Sequence, residues 1–426
     1  MSLPVESNLT SENERAGQDN SQNLLILTIV IIFHVVLVAR DSLAALVSPA
    51  YLGYTLLGGV FVLLCGGLIC THLVRNQPFK MEIAPFSTIF QANIQKNRRL
   101  FLKIACIMLI SGIALRFYVI RIVPVASPIA DMLPLIEKAS AALHAGQNPY
   151  QVYQFPYSMP LTFLPGLWLP YYPLVVLGTD PRWLGLLIWL LVSFLLLMLM
   201  VENGQKRFTS LFFLAAAVNF ALLQFSPELI GFHTIGHTFL LWLWLAFICL
   251  GMAKKQDFLT AFGLGLAIAS RQTYIVLLPI LLCYWYRNYG FRGMLKYSTL
   301  AAAVFFLLTL PFALKSPAQV YLAPITHYQT LAAWDLTRGS ASFMANSIGF
   351  AYVIQNWLGS QALSAITAFV LAGICGLSWF FTQNRKRTLL SMAAALTLLN
   401  LFTSIPWTYI YYDCLILLAF ALIIDF

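Results

Sequence analysis

Apolar runs of about twenty residues recur along the chain from Leu24 to Phe426, each long enough to cross a bilayer as a helix. Hydrocarbon offers no water to backbone N–H and C=O groups, so such a chain is confined to helices packed side by side. Composition agrees. Of 426 residues, 60% are hydrophobic and 9% are charged, against roughly 25% charged in an average soluble domain. A soluble globular enzyme is excluded, and the fold class is an all-α, polytopic integral membrane protein.

Spans are predicted near 24–40, 51–72, 101–123, 183–201, 208–226, 237–252, 297–313, 362–382, 388–404 and 409–425. Residues 258–286 form a further apolar stretch, interrupted by Arg271 and too long for one helix, which reads as two short spans turning around that arginine. The count is roughly twelve. Residues 1–23 are polar and acidic, without the basic start and short apolar core of a cleaved signal, and read as a disordered cytoplasmic tail.

With that tail cytoplasmic, 17 of the 25 basic residues fall on the cytoplasmic side and 8 on the other, as the positive-inside rule requires. The net charge of +10 is therefore a topology signal, and nucleic acid is not an expected partner. All seven cysteines lie in apolar stretches without metal-type spacing and read as small buried hydrophobes.

Residues 160–178 carry Pro160, Pro165, Pro170 and Pro173. Interior prolines cost a helix about 3 kcal/mol or more each, so this segment is expected to be interfacial or re-entrant. Residues 342–358 are expected as an outer-face helix. Two large outer loops follow, 124–182 and 314–361.

The first outer loop starts with Pro124, Pro128 and Asp131, then a helical stretch through Glu137 and Lys138 to Gly146-Gln147-Asn148-Pro149-Tyr150. An acid just beyond a membrane helix is desolvated and able to act as a base. Asp131 is the catalytic candidate, and an N-cap for the following helix is the competing role. Arg271 lies between two short apolar spans, where a charge is costly and either functional or paired. It is a candidate phosphate ligand, since a guanidinium grips phosphate bidentately, with a structural ion pair as the alternative. His233 and His237, four apart at an outer helix start, fit phosphate contact better than metal, because no third ligand is near in sequence. Asn148, Tyr150 and Tyr157 are candidate pocket residues, although Asn-Pro-Tyr is equally a turn. His34 reads as packing, His327 is open, and Asp413 reads as a partner for an arginine.

Asp131, the segment Gly146 to Tyr150, and then Tyr157-Ser158-Met159-Pro160-Leu161 resemble the first outer loop of GT-C superfamily membrane glycosyltransferases. The similarity is greatest to glycosyltransferase family 87, the polyprenyl-phosphate-mannose-dependent mannosyltransferases. Further resembling segments follow in order: Gly236-His237, Gly263-x-Gly265 leading to Ser270-Arg271-Gln272, Leu278-Pro279, Asn346-Ser347-Ile348-Gly349 and Pro406-Trp407. The resemblance covers roughly residues 101–425, and residues 24–100 form two extra helices and a cytoplasmic loop without counterpart in it. The chain departs from the family pattern at His237, where Gly-Gln is expected, and at Pro406-Trp407-Thr408-Tyr409, where Ser-Trp-x-His is common.

The resemblance implies a GT-C-type catalytic membrane domain over 101–426 in a cell inner (plasma) membrane, with its site on the non-cytoplasmic face. It implies a polyprenyl-phosphate sugar donor, mannose first among hexoses, and a glycan, glycolipid or lipid acceptor. Transfer would invert the anomeric centre, with Asp131 as base and Arg271, His237 and His233 on the donor phosphate. Asn148, Tyr150, Tyr157, Asn346, Trp407 and Tyr409 would line the pocket. Neither metal nor cofactor is expected. The alternative class is a transporter or lipid flippase. Transporters commonly carry repeated halves and midplane ionisable groups, whereas here the acids gather at outer helix ends and no repeat is found.

Overall fold

The protein is described from a computed structural model, over residues 6–70, 98–126, 130–155, 157–204, 210–339, 342–382, 384–403 and 408–423. The chain begins with α1 (Glu6–Ala44) and α2 (Ala50–Cys70), which pair antiparallel with Phe33 stacked on Phe61 at 4.1 Å. Helix α1 thus runs through the polar segment expected as a disordered tail. Extending an existing helix costs far less than nucleating one, so the apolar run from Leu24 carries the helix backwards.

After α3 (Arg98–Ile122) the first of the two segments expected to be outer loops holds α4 (Met132–His144), then an antiparallel hairpin of β1 (Val152–Gln154) and β2 (Ser158–Pro160) with Tyr153 opposite Met159. The proline-rich stretch breaks, as expected, into α5 (Pro165–Trp168), a 3-10 turn (Leu169–Tyr171) and α6 (Tyr172–Val176). Arg182 closes the loop. It grips Asp180 at 2.6 Å and donates to the carbonyl of Ile120 at 2.9 Å, tying the loop's end to the end of α3.

Six further helices carry the chain back and forth: α7 (Arg182–Gly204), α8 (Ser210–Phe225), α9 (Pro227–Ile235), α10 (Phe239–Ala253), α11 (Asp257–Ile268) and α12 (Leu277–Ala313), the last preceded by a 3-10 turn (Gln272–Val276). Arg271 therefore sits in a break between helices, as its charge suggested. Helix α12 is not one rod. Twelve residues of straight helix would hold positions 285 and 297 about 18 Å apart, yet the rings of Trp285 and Tyr297 are 5.6 Å apart. The chain reverses at Gly290, whose φ of 68° is a conformation that glycine adopts without strain. The second limb packs on α11, where a Cβ at Gly265 would stand 2.5 Å from the carbonyl oxygen of Ala301, so the small residue sets the helix spacing.

The second of these expected loops contains α13 (Pro317–Tyr321), α14 (Ala323–Leu336) and α15 (Ala351–Leu358). The expected helix over 342–358 is thus only its last part. Residues 342–350 instead wrap the buried carboxylate of Asp335, which accepts from Ser342 Oγ (2.6 Å) and from the backbone N–H groups of Phe343 and Met344 (both 2.9 Å). Those donors are withdrawn from any helix. The chain ends with α16 (Ser360–Phe381), α17 (Arg385–Leu401), a 3-10 turn (Thr408–Tyr411) and α18 (Tyr412–Ile423).

Among the described residues, six helices are long and apolar enough to cross a membrane, or seven if the bent pair Pro227–Thr234 and Phe239–Ala253 forms one span. The sequence reading expected roughly twelve. The difference lies in short apolar helices such as α11 and α18, 12 residues each, and in Gln272–Ala313, which counts once although it reverses at Gly290. Cys65, Cys249 and Cys414 are buried, but Cys106 and Cys375 lie on the outside of the bundle rather than inside it.

The extra N-terminal helix is bound tightly to the rest. Arg40 of α1 donates to Glu228 at the start of α9, and the other oxygen of Glu228 accepts from Tyr412 of α18 at 2.6 Å. Nearby, His34 is packed edge-on against Tyr412 at 5.9 Å, in keeping with a packing role.

Candidate functional site

Asp131 immediately precedes α4, the N-cap position, but its side chain makes no capping bond. Its Oδ2 instead accepts from Tyr157 Oη at 2.6 Å. The hairpin makes this possible: β1 leads the chain out and β2 returns it, so that Tyr157 at the turn faces the start of α4. Burial first, and then the hydrogen bond to Asp131, push the Tyr157 phenol well above its ordinary range, so it remains a donor. Nearby, burial lowers the His327 imidazole against the opposing pull of the Asp131 charge.

Arg271 sits in the break between α11 and the 3-10 turn that precedes α12. Its Nη1 pairs with Asp413 Oδ2 at 3.3 Å, and its guanidinium lies 5.5 Å from the Tyr409 ring. Asp413 is buried and also accepts from Trp242 Nε1 at 3.0 Å. The ion pair considered for Arg271 is therefore present, as is the arginine partner expected for Asp413. It occupies one of the guanidinium nitrogens, while a guanidinium carries five N–H donors. Access to this arginine is shaped by the broken outer segment, whose Gly166 N–H donates to the carbonyl of Ala269 at 2.8 Å, two residues before Arg271.

His237 is buried at 1% exposure, and neither ring nitrogen has a partner among the described residues. Its ring lies 4.5 Å from Phe163 and 6.3 Å from Tyr409, within reach of the Arg271 charge. A buried imidazole without hydrogen bonds is costly, and an anion beside Arg271 would supply the missing acceptor.

The charges of both Asp131 and Arg271 reach Tyr328 and Tyr409. Tyr328 lies 3.4 Å from Thr162 Oγ1, beside Phe163.

The structure thus brings Tyr157 to Asp131, and Tyr409 to both Arg271 and His237. It leaves others out. His233 belongs to a separate cluster, stacked on Phe239 at 3.9 Å and edge-on to Trp189, over which the buried Arg116 lies at 3.9 Å. Asn148 forms a turn, accepting from the Tyr150 N–H at 3.0 Å and donating to Ser316 Oγ at 2.7 Å. Tyr150 is buried, bonded to the Phe163 carbonyl and to Trp168 Nε1, and holds the loop together. Asn346 donates to the Ser342 carbonyl at 2.8 Å within the Asp335 turn. Pro406 and Trp407 lie outside the described residues. Sequence reasoning missed Thr162, Phe163, Tyr328 and Trp242. Only Tyr328, beside the singled-out His327 in a polar outer loop, carried a signal.

No known protein family, curated protein or solved structure matches this chain.

Proposed function

We propose that the chain is a GT-C-type membrane glycosyltransferase similar to glycosyltransferase family 87. It moves a hexose, mannose first, from a polyprenyl-phosphate donor to an acceptor hydroxyl on the non-cytoplasmic face. The observation that carries the reading is the uncapped Asp131 carboxylate, held by Tyr157, with its charge and that of Arg271 both reaching Tyr409, and His237 buried and unpartnered among the described residues within reach of the Arg271 charge.

The chemistry follows from that arrangement. Asp131 accepts the acceptor proton as the acceptor oxygen bonds to the anomeric carbon, and the bond from that carbon to the phosphate oxygen breaks with its electron pair leaving on phosphate. Arg271 and His237 stabilise the departing polyprenyl phosphate. Asp413 and Trp242 hold the guanidinium in place. Attack opposite the leaving group inverts the anomeric centre. A lipid donor reaches such a cleft sideways through the bilayer, while the acceptor enters from water.

About twelve crossings suit this architecture. The Gly290 reversal, which divides α12 into two limbs, adds one crossing to those of the long apolar helices. The test is incubation of purified protein with labelled polyprenyl-phosphate hexoses and candidate acceptors. Release of polyprenyl phosphate with a glycosylated product is expected. Movement of intact donor across a vesicle membrane without cleavage would put the chain among lipid flippases instead.

A further inference from the structure

The Gly290 reversal leaves a notch at the end of the bundle opposite the cleft. Leu282, Cys283 and Tyr286 of the first limb, Met294 of the second and Trp379 of α16 line a groove of about 460 Å³, within the size of small-molecule sites at roughly 300–1,000 Å³. The lining is almost wholly apolar and the groove is open to the outside of the bundle. Tyr286 packs on Trp379 at 5.7 Å, and exposed Phe291 and Phe380 flank them, an aromatic grouping typical of the headgroup level of a bilayer.

A cation stands over the groove. The Arg287 guanidinium lies 4.6 Å from the Trp379 ring, and its charge reaches Cys283. Arg287 has no acidic partner among the described residues. The described acids at this end are engaged elsewhere: Asp257 accepts from Trp285 and Tyr289, and Glu202 binds Lys254. An apolar slot beneath such a cation is complementary to one class of molecule, an acyl chain carrying an anionic head.

We propose that this groove binds an anionic phospholipid from the leaflet at the basic end of the bundle, with an acyl chain against Leu282, Met294 and Trp379 and the headgroup phosphate on Arg287. This does not depend on the glycosyltransferase reading.

Native mass spectrometry of the full-length protein in detergent, titrated with phosphatidylglycerol or phosphatidylcholine, tests it. The unaltered chain is expected to retain phosphatidylglycerol preferentially. A loss of roughly fivefold is expected for Arg287→Gln. Met294→Trp fills the groove without touching the charge and is expected to weaken binding too, which keeps the proposal testable if Arg287→Gln fails to fold. Arg121→Gln, at the other end of α3, should leave binding unchanged. Equal retention of the two lipids, full retention by Met294→Trp, or an equal loss in Arg121→Gln would overturn the proposal.

Discussion

Tyr157 Oη donates to Asp131 Oδ2 at 2.6 Å, so the carboxylate at the start of α4 is held by the hairpin and not by the helix. This bears on the capping role open to Asp131. A cap bonds the backbone N–H of the second or third helical residue, and Asp131 makes no such bond.

Asp131→Asn should therefore cut turnover by about 10² to 10⁴, the usual cost of removing a general base, while leaving thermal stability close to that of the unaltered chain. Parallel turnover and melting curves for Asp131→Asn and Asp131→Ala check this. Near-normal turnover in the asparagine variant would remove the residue from the mechanism.

Tyr157→Phe deletes one hydroxyl and leaves the ring. A hydrogen bond to a charged group contributes about 1.5–3 kcal/mol, so a roughly tenfold to hundredfold fall in kcat is expected, with the KM for donor little changed. Steady-state kinetics with donor and acceptor varied separately reads the split.

Removing Asp413 leaves the half-buried Arg271 without its counter-charge, and breaking a buried pair costs up to about 3–5 kcal/mol. Asp413→Ala should be strongly destabilised. The double variant Asp413→Leu, Arg271→Met should melt above either single variant, because an apolar pair carries no uncompensated charge. Arg271→Lys keeps the ion pair yet should weaken donor use more than acceptor use, since an ammonium lacks the guanidinium fork.

Glu137 gives a pH signature. Burial, then the Asp180 charge, raise its carboxyl above the ordinary range against the pull of Arg182. A raised folded pKa gives stability that is fully present below the unfolded pKa of about 4.3 and is lost as pH rises through the folded value. Glu137→Gln should therefore melt higher than the unaltered chain at pH 7.5, by on the order of 1 °C, and lose that advantage near pH 4. Thermal melts at the two pH values decide it.

Cysteine probes at Gln147 and Thr337, both exposed, should be labelled from outside intact cells, and one at the exposed Asn384 only after permeabilisation. Labelling of Gln147 from the cytoplasm alone would reverse the orientation and remove the lipid-donor mechanism with it.

Helix positions were legible because a membrane span is written in length and hydropathy: the split of 258–286 around Arg271 and the broken stretch after Pro160 both follow from single residue types with known costs. What was not legible depends on contacts between distant segments. Nothing in sequence joins Asp131 to Tyr157, because the hairpin sets their meeting, and nothing separates His237 from His233, four residues apart, except which neighbours each helix end brings. The Asp335 turn was hidden for the same reason: its donors at 342–344 have ordinary helix-forming identities, and only a buried carboxylate diverts them.

The chain of contacts from Arg40 through Glu228 to Tyr412 has a bearing on biosynthesis. Helix α1 leaves the ribosome well before α18, so Arg40 and Glu228 wait until Tyr412, next to Asp413, has been made. The entropic cost of closing so long a loop grows only slowly with its length, and α18 can still dock. Both the fastening of α1 and the counter-ion of Arg271 arrive together, with α18. A polypeptide that stops short of α18 lacks them both.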